Sequence, residues 1–326
     1  MQEKQSFDQV LDSLREPRPS DATLYKLSNL HGTELRLLTN AWPSLPVEHR
    51  RQIALRLEEI GEADFETDFS EVFKVCLVDS DPQVRAAGIE GLWEVQDVVL
   101  IRPLIRILQQ DASMAVREAA AISLSRFALL AELGDLPSRP ADLVWDALWN
   151  AVHAPQEDIT VRRRAIESLA YFDRPEVTQL IESAYQDEEA MMRISAVFAM
   201  GRSADERWNE RVVAELEQDD PQMRYEAARA AGALRVTEAV PVLSRMVADP
   251  DLEVKLAAVW ALGQIGGPEA KRVLEICSEQ GDDALQDAAG EALEELDLGD
   301  GTFEFPLLNA DDEEEDEFDW DEEDDE

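Results

Sequence analysis

A block of about 31 residues recurs along the chain, and it constrains the fold more than any other feature. Each block holds an acidic or hydroxyl residue, two further residues, an apolar residue, then small and apolar residues at helical spacing. The apolar residues that open the seven blocks are Val84, Val116, Val161, Met192, Met223, Val254 and Leu285. The last four intervals are 31 residues each, which indicates stacked copies of one structural unit.

Each block has the signature of a helix with a capped start. The residue three positions before the opening apolar residue suits N-capping, because its side-chain oxygen accepts hydrogen bonds from free backbone N–H groups. These residues are Asp81, Ser113, Asp158, Glu189, Asp220, Asp251 and Asp282. Counted from the opening residue, columns 1, 5, 9 and 12 form one apolar stripe. A partner helix precedes each block, so each unit is predicted to be a helical hairpin that buries its apolar face only by stacking.

The repeat divides the chain into three predicted parts. Residues 1–46, which contain four prolines, predict an N-terminal cap of short helices. Residues 47–298 predict an all-α solenoid of about seven to eight stacked hairpins, with a loop insertion near 133–142. Residues 299–326 predict an acidic, largely disordered tail.

The blocks resemble HEAT repeats, particularly the short bacterial form named after phycobilisome-lyase-like proteins. The resemblance is carried by DPQVRAAGIEGLWEV (81–95), DPQMRYEAARAAGAL (220–234) and DLEVKLAAVWALGQIG (251–266). It implies an α-solenoid that serves as a scaffold or adaptor, or in some members as an enzyme. It also implies that cations in column 2, such as Arg85 and Arg117, pair with the capping acids of a neighbouring repeat and fix the stacking register.

The sequence lacks the residues that the enzymes of this family need. The di-iron deoxyhypusine hydroxylases need repeated His-Glu pairs, whereas the three histidines here precede Gly32, Arg50 and Ala154. No bilin-lyase motif is matched either, and no zinc spacing, P-loop, nucleophile elbow or EF-hand loop is present. Cys76 and Cys277 fall on apolar helix faces, which is typical of inert core cysteines. We therefore expect no enzyme, no catalytic residue, no metal site and no cofactor.

One face of the later repeats is expected to bind a partner. Columns 3 and 7 lie roughly opposite the buried stripe and should point into solvent. In an early repeat they are charged, as at Arg163 and Glu167, but in three successive later repeats they change character. The residues there are Ile194, Phe198, Tyr225, Arg229, Leu256 and Trp260. This composition is typical of interaction hot spots, although solenoid curvature or a following segment would also cover such residues.

Negative charge dominates the chain and is concentrated at its end. The formal net charge is −42, and the last 18 residues contain 14 acidic residues and no basic one. This charge repels phosphate and anionic lipid, so we expect neither direct nucleic-acid binding nor membrane binding. Four aromatic residues lie in the tail: Phe303, Phe305, Phe318 and Trp320. The tail then either contacts a basic protein surface or only improves solubility.

These observations favour a monomeric, cytoplasmic scaffold or adaptor without catalytic activity. Two cysteines, no apolar stretch of about 18 residues and no basic-then-apolar N-terminus support that location. The partner is another protein, docked on the inner helical face, while the tail engages basic surfaces or gates access. We expect residues 303–308 to fold back along that face or to cap the final hairpin. The alternatives are a HEAT-like enzyme of the bilin-lyase type, or an acidic chaperone or nucleic-acid mimic that shields a basic protein.

Overall fold

The computed structural model describes residues 7–299, and this range is all-α, with no β-strand in it. Contacts divide the chain into two compact units, residues 1–234 and residues 235–326. Within the described range, no helix is both long enough and apolar enough to span a membrane. The helices are numbered α1 to α18 in chain order, and each unit is described by itself.

The first unit opens with short helices and continues with five helical hairpins. The opening helices are α1 (Phe7–Ser13), α2 (Asp21–Leu24), α3 (Gly32–Ala41) and the longer α4 (Val47–Ala63). The hairpin helices are α5 (Ser70–Cys76), α6 (Pro82–Glu90), α7 (Ile101–Gln110), α8 (Met114–Glu132), α9 (Ser138–His153), α10 (Ile159–Leu169), α11 (Pro175–Tyr185), α12 (Ala190–Arg202), α13 (Asn209–Glu215) and α14 (Pro221–Ala233).

The hairpins stack in the order of the chain. In each hairpin the first helix packs against the second, and the second helices, here called B helices, pack on one another from α6 to α14. Helix α4 packs on α6 in the same way. The opening apolar residues Val84, Val116 and Val161 are fully buried, with none of their surface exposed. The predicted all-α solenoid and its buried stripe are thus confirmed in this unit.

The second unit contains two more hairpins of the same kind. Its helices are α15 (Val240–Met246), α16 (Leu252–Ile265), α17 (Gly267–Gln280) and α18 (Asp283–Gly299). Helix α16 packs on α15, α17 and α18, and its residues Val254 and Ala258 are fully buried. At Gly263 an added Cβ would lie 2.9 Å from the Cβ of Ala292, so α16 and α18 approach closely there.

The predicted helix caps are present at most of the B helices. Side-chain oxygens accept hydrogen bonds from the first turn at Asp81, Asp158, Asp220, Asp251 and Asp282. The prediction is wrong at Ser113 and Glu189, whose side chains make no capping bond. There the aspartate two residues earlier accepts from the backbone N–H of the cap residue, at 2.9 Å for both Asp111 and Asp187.

Two column 2 arginines tie neighbouring repeats together, but through acids that are not the predicted capping residues. Arg85 donates two hydrogen bonds to the carboxylate of Asp111, both at 2.7 Å. Arg117 contacts Glu157 at 2.8 Å in the same way. Each also donates from Nη1 to a backbone carbonyl in the turn before its own helix, Asp79 for Arg85 and Asp111 for Arg117. The arginines therefore join a helix start to the next repeat, which specifies the stacking register.

The interval from Val116 to Val161 is 45 residues, longer than the usual 31, and it is filled mainly by helix. The sequence predicted a loop near 133–142, but α8 ends at Glu132 and α9 begins at Ser138. Pro140 fits inside the first turn of α9, because the backbone N–H groups there have no intrahelical partner. The extra residues thus lengthen the two helices, to 19 and 16 residues.

Candidate functional site

The predicted binding residues of the first unit lie on α12 and α14, and one of them is buried. Ile194 was expected to point into solvent, but only 2% of its surface is exposed. It lines a cavity of about 330 Å³ together with Tyr185, Glu215 and Met223. The prediction of exposure is wrong at Ile194 because this side of α12 faces the next hairpin.

Arginine and aromatic side chains lie together at the end of α12. The guanidinium carbon of Arg202 is 5.0 Å from the ring centroid of Phe198 and 5.7 Å from that of Tyr171. Phe198 is half-buried, as are Tyr225 and Arg229 on α14. An arginine held over aromatic rings offers a flat surface with both apolar and charged character, which is typical of protein interfaces.

The remaining predicted residues lie in other parts of the chain. Leu256 and Trp260 are half-buried on α16, in the second unit. The aromatic tail residues Phe303, Phe305, Phe318 and Trp320 lie outside the described residues, and so does the fold-back predicted for 303–308. A single surface formed by the other five residues, from Phe198 to Trp260, therefore stays a prediction.

A buried polar network crosses the B helices of the first unit. Ser195 donates to Oε1 of Glu167 at 2.5 Å and accepts from Nε of Arg163 at 2.9 Å. Arg164 donates to Oε2 of Glu167 at 2.9 Å and to Glu118 at 3.0 Å. Arg163, Glu167 and Ser195 are 7%, 8% and 1% exposed. The network joins α8, α10 and α12 through charge-assisted bonds.

The sequence interpretation of this network was wrong. Columns 3 and 7 were expected to be solvated, and Arg163 and Glu167 occupy them in the third block. They are buried because neighbouring B helices lie side by side and cover these columns. The missed signal is in column 4, which lies next to the buried stripe on the helix. Polar residues occupy this column in three successive blocks: Arg164, Ser195 and Glu226.

Glu226 lies close enough to the network and to Arg202 for their charges to change its pKa. Burial raises the pKa of Glu226 from 4.5 to about 7, and the nearby carboxylate of Glu167 adds to the increase. The charges of Arg164, Arg202 and Arg229 act in the opposite direction. We define the arginine–aromatic patch as Tyr171, Phe198, Arg202, Glu226 and Arg229.

A second cavity of the first unit lies between α6 and α8. It has a volume of about 500 Å³, and Trp93, Ile122 and Arg126 are among its lining residues. Arg126 donates to the hydroxyl of Ser123 at 2.7 Å, while its buried Nε and Nη2 atoms have no hydrogen-bond partner. Burial lowers the pKa of Arg126 to about 10. Neither this cavity nor Arg126 was identified from the sequence.

Comparisons with known proteins place the chain among helical-repeat proteins. Human deoxyhypusine hydroxylase is 27% identical over 111 residues, which cover 33% of this chain and 37% of that protein. A HEAT repeat-containing taxis protein of Halobacterium salinarum is 30% identical over 142 residues, covering 37% of this chain and 35% of that protein. A solved structure of human deoxyhypusine hydroxylase with glycerol is 19% identical, with a TM-score of 0.37, covering 90% of this chain and 96% of that one. The chain thus spans less than two fifths of the length of these two curated relatives.

The relatives correct one prediction made from the sequence. The chain was expected not to be an enzyme, and this expectation is contradicted by the human relative and further relatives that carry the name deoxyhypusine hydroxylase. The residues do not fit the di-iron centre that the resemblance implied for such enzymes, since the His-Glu pairs are missing. Within residues 7–299, no three His, Cys, Asp or Glu side chains come together in a way that holds a metal ion.

A family model settles the classification. The model for HEAT repeats matches residues 69–155, 146–208 and 209–294, which together make up well over half of the chain. Within the described residues 7–299, the matched segments run from the start of α5 into α18. The chain belongs to the HEAT-repeat family.

Proposed function

We propose that this chain binds a partner protein on the B helices of its first unit, through the arginine–aromatic patch. The observation that carries the proposal is the pair of contacts from Arg202 to Phe198 and Tyr171. Aromatic and arginine side chains contribute most of the energy at protein interfaces, and the buried network beneath them holds the patch rigid. Leu256 and Trp260 occupy the equivalent columns of α16 and extend the proposal to the second unit.

We test the proposal by comparing complexes recovered with the full chain and with a Phe198→Ala, Arg202→Ala variant. The expected result is one or more proteins bound to the native chain and lost with the variant. A matched control is Tyr25→Ala, which removes an exposed aromatic residue far along the chain, in the N-terminal cap. Identical recovery by all three proteins would contradict the proposal.

The acidic tail supplies a second element of the proposed function. A partner with a basic surface would be attracted by the 14 acidic residues at the chain end, and added salt would weaken this attraction. In the absence of the partner, the apolar residues of 303–308 cover the binding face, so the tail gates access. The proposal places the protein in the cytoplasm as a monomer, without direct contact with nucleic acid or membrane.

Hydrogen exchange tests the gate. If the tail covers the B helices, a chain ending at Leu298 should exchange faster than the full chain over 192–202, 223–233 and 254–264. Exchange over α7 should be the same in both proteins, because the gate does not involve that helix. Equal protection of the three B-helix segments in both proteins would disprove the gate and leave partner binding intact.

The relatives named deoxyhypusine hydroxylase favour a second candidate, an enzyme built on HEAT repeats. If the chain acts as those proteins are named, the purified protein should hydroxylate a deoxyhypusine-containing protein. Hydroxylation that is lost in Glu226→Gln, while circular dichroism shows the variant to be folded, would support this candidate and locate its site. No product over prolonged incubation would favour partner binding alone.

A further inference from the structure

A groove lies at the ends of α4 and α6, apart from the arginine–aromatic patch. It has a volume of about 480 Å³ and is lined by Leu57 and Phe73, by the segment that follows α4, and by the segment that follows α6. Gly91 allows this shape, because a Cβ at that position would collide with the ring of Phe73. Phe73 is closely packed against Gly91, and Leu57, Phe69 and Phe73 form a buried apolar part of the groove wall.

Two aromatic side chains of the groove are exposed to solvent. Phe65, in the turn after α4, is 88% exposed, and Trp93, after α6, is 63% exposed. Each has a large apolar area, and covering that area with a partner would contribute favourably to the free energy of binding. Both line the same groove, so one bound segment would contact both.

Carboxylates surround the two aromatic rings. Glu58, Glu62 and Glu94 line the groove, and the negative charge of Glu90 is close enough to repel that of Glu58. Burial raises the pKa of Glu58, and the negative charges of Glu90 and Glu62 raise it further. None of these four carboxylates forms an ion pair or hydrogen bond with another described residue. Their mutual repulsion would be relieved by a cation in the groove.

We propose that this α4–α6 groove binds a lysine or arginine side chain from an extended basic segment of a partner protein. The cation would lie against Trp93 or Phe65, where the ring face attracts positive charge. Its counterions would be Glu58, Glu62 and Glu94, while its aliphatic carbons would cover the apolar part of the groove wall. The acidic tail of the chain itself is a poor occupant, since like charges repel it from the groove. The groove does not depend on the patch of the proposed function, because the two share no residue.

The experiment measures binding of a short fluorescent peptide with several lysines to the full chain by fluorescence anisotropy. Phe65→Ala and Trp93→Ala should each weaken binding about fivefold or more, from the lost cation–π contact and apolar area. Glu62→Gln with Glu94→Gln should weaken it about tenfold. All four residues are exposed, so the variants should retain the fold, which circular dichroism checks.

Matched controls separate the groove from the general negative charge of the chain. Leu133→Ala removes an exposed apolar side chain elsewhere, and Glu253→Gln with Glu275→Gln removes two exposed carboxylates of the second unit. Both controls should change binding less than twofold. Native affinity in both aromatic variants would overturn the proposal, as would equal loss in the charge control or equal binding of a peptide with glutamine in place of lysine. Self-association of the native chain that is lost in Trp93→Ala would assign the groove to a second copy and also overturn it.

Discussion

Alanine in place of Glu167 is expected to lower the free energy of unfolding by about 2–3 kcal/mol, because buried hydrogen-bond donors then lose their charged acceptor. Glu167 receives hydrogen bonds from Ser195 and Arg164 and is only 8% exposed. Without it, the Ser195 hydroxyl that Arg163 Nε contacts loses its charged acceptor. Burial already lowers the pKa of Arg163, so its positive charge is poorly compensated even in the native network.

Urea unfolding at neutral pH measures this effect. The matched control is Glu275→Ala, an exposed glutamate on α17, which should change stability by less than about 0.5 kcal/mol. If Glu167→Ala is as stable as that control, the carboxylate does not hold the B helices together. A combined replacement of Arg163, Glu167 and Ser195 by apolar residues should be less harmful than Glu167→Ala alone, since no unpaired charge remains.

Glutamine in place of Glu226 is expected to stabilise the protein at pH 8 but not near pH 4.5. The folded-state pKa of about 7 is above the ordinary value of 4.5, so between these values the folded chain holds an extra proton. The stability from this protonated group is complete below pH 4.5 and is lost as the pH rises to 7. The full loss is on the order of 1–3 kcal/mol, and a glutamine, which never ionises, avoids it.

The measurement is the difference in unfolding free energy between Glu226→Gln and the native chain at both pH values. Subtraction removes the pH response of the other acidic residues, which the two proteins share. The charged neighbours of Glu226 are Arg163, Arg164 and Glu167 on α10, Arg202 on α12 and Arg229 on its own helix, α14. Glu275→Gln should show no pH-dependent difference. The same difference at pH 4.5 and pH 8 for Glu226→Gln would contradict a raised pKa.

The fold was predictable because each repeat contains the residues that mark the start of its helix and its buried side. Asp81 caps a helix that Pro82 begins, and Val84 follows at the buried position, so one block alone predicts a helix start and its buried side. Repetition at a fixed interval then predicts stacking, which the packing of α6 through α14 confirms. The cap at Ser113 was mispredicted: its side chain makes no capping bond, and its backbone N–H donates to Asp111 two residues earlier.

The candidate site was less predictable because exposure depends on neighbours rather than on one helix. A single helical projection treats columns 3 and 7 as solvated, yet Ile194 and Glu167 are buried by adjacent hairpins. Conversely, Trp93 lies in column 10 of its block but beyond the end of α6, where the helical projection no longer applies. The pKa of Glu226 depends on its burial and on the charges of four residues from three helices. The sequence pattern of a single helix does not show that these residues come together.

Site-specific photo-crosslinking tests the central claim, partner binding on the arginine–aromatic patch, most directly. A photoreactive phenylalanine analogue is placed at position 198 of the full chain, in the cells that normally make the protein, and in parallel at position 25. We predict a discrete crosslinked protein from position 198 that is absent from position 25 and lost when Arg202 is also replaced by alanine. No crosslink from position 198, or the same crosslinks from both positions, would contradict the claim.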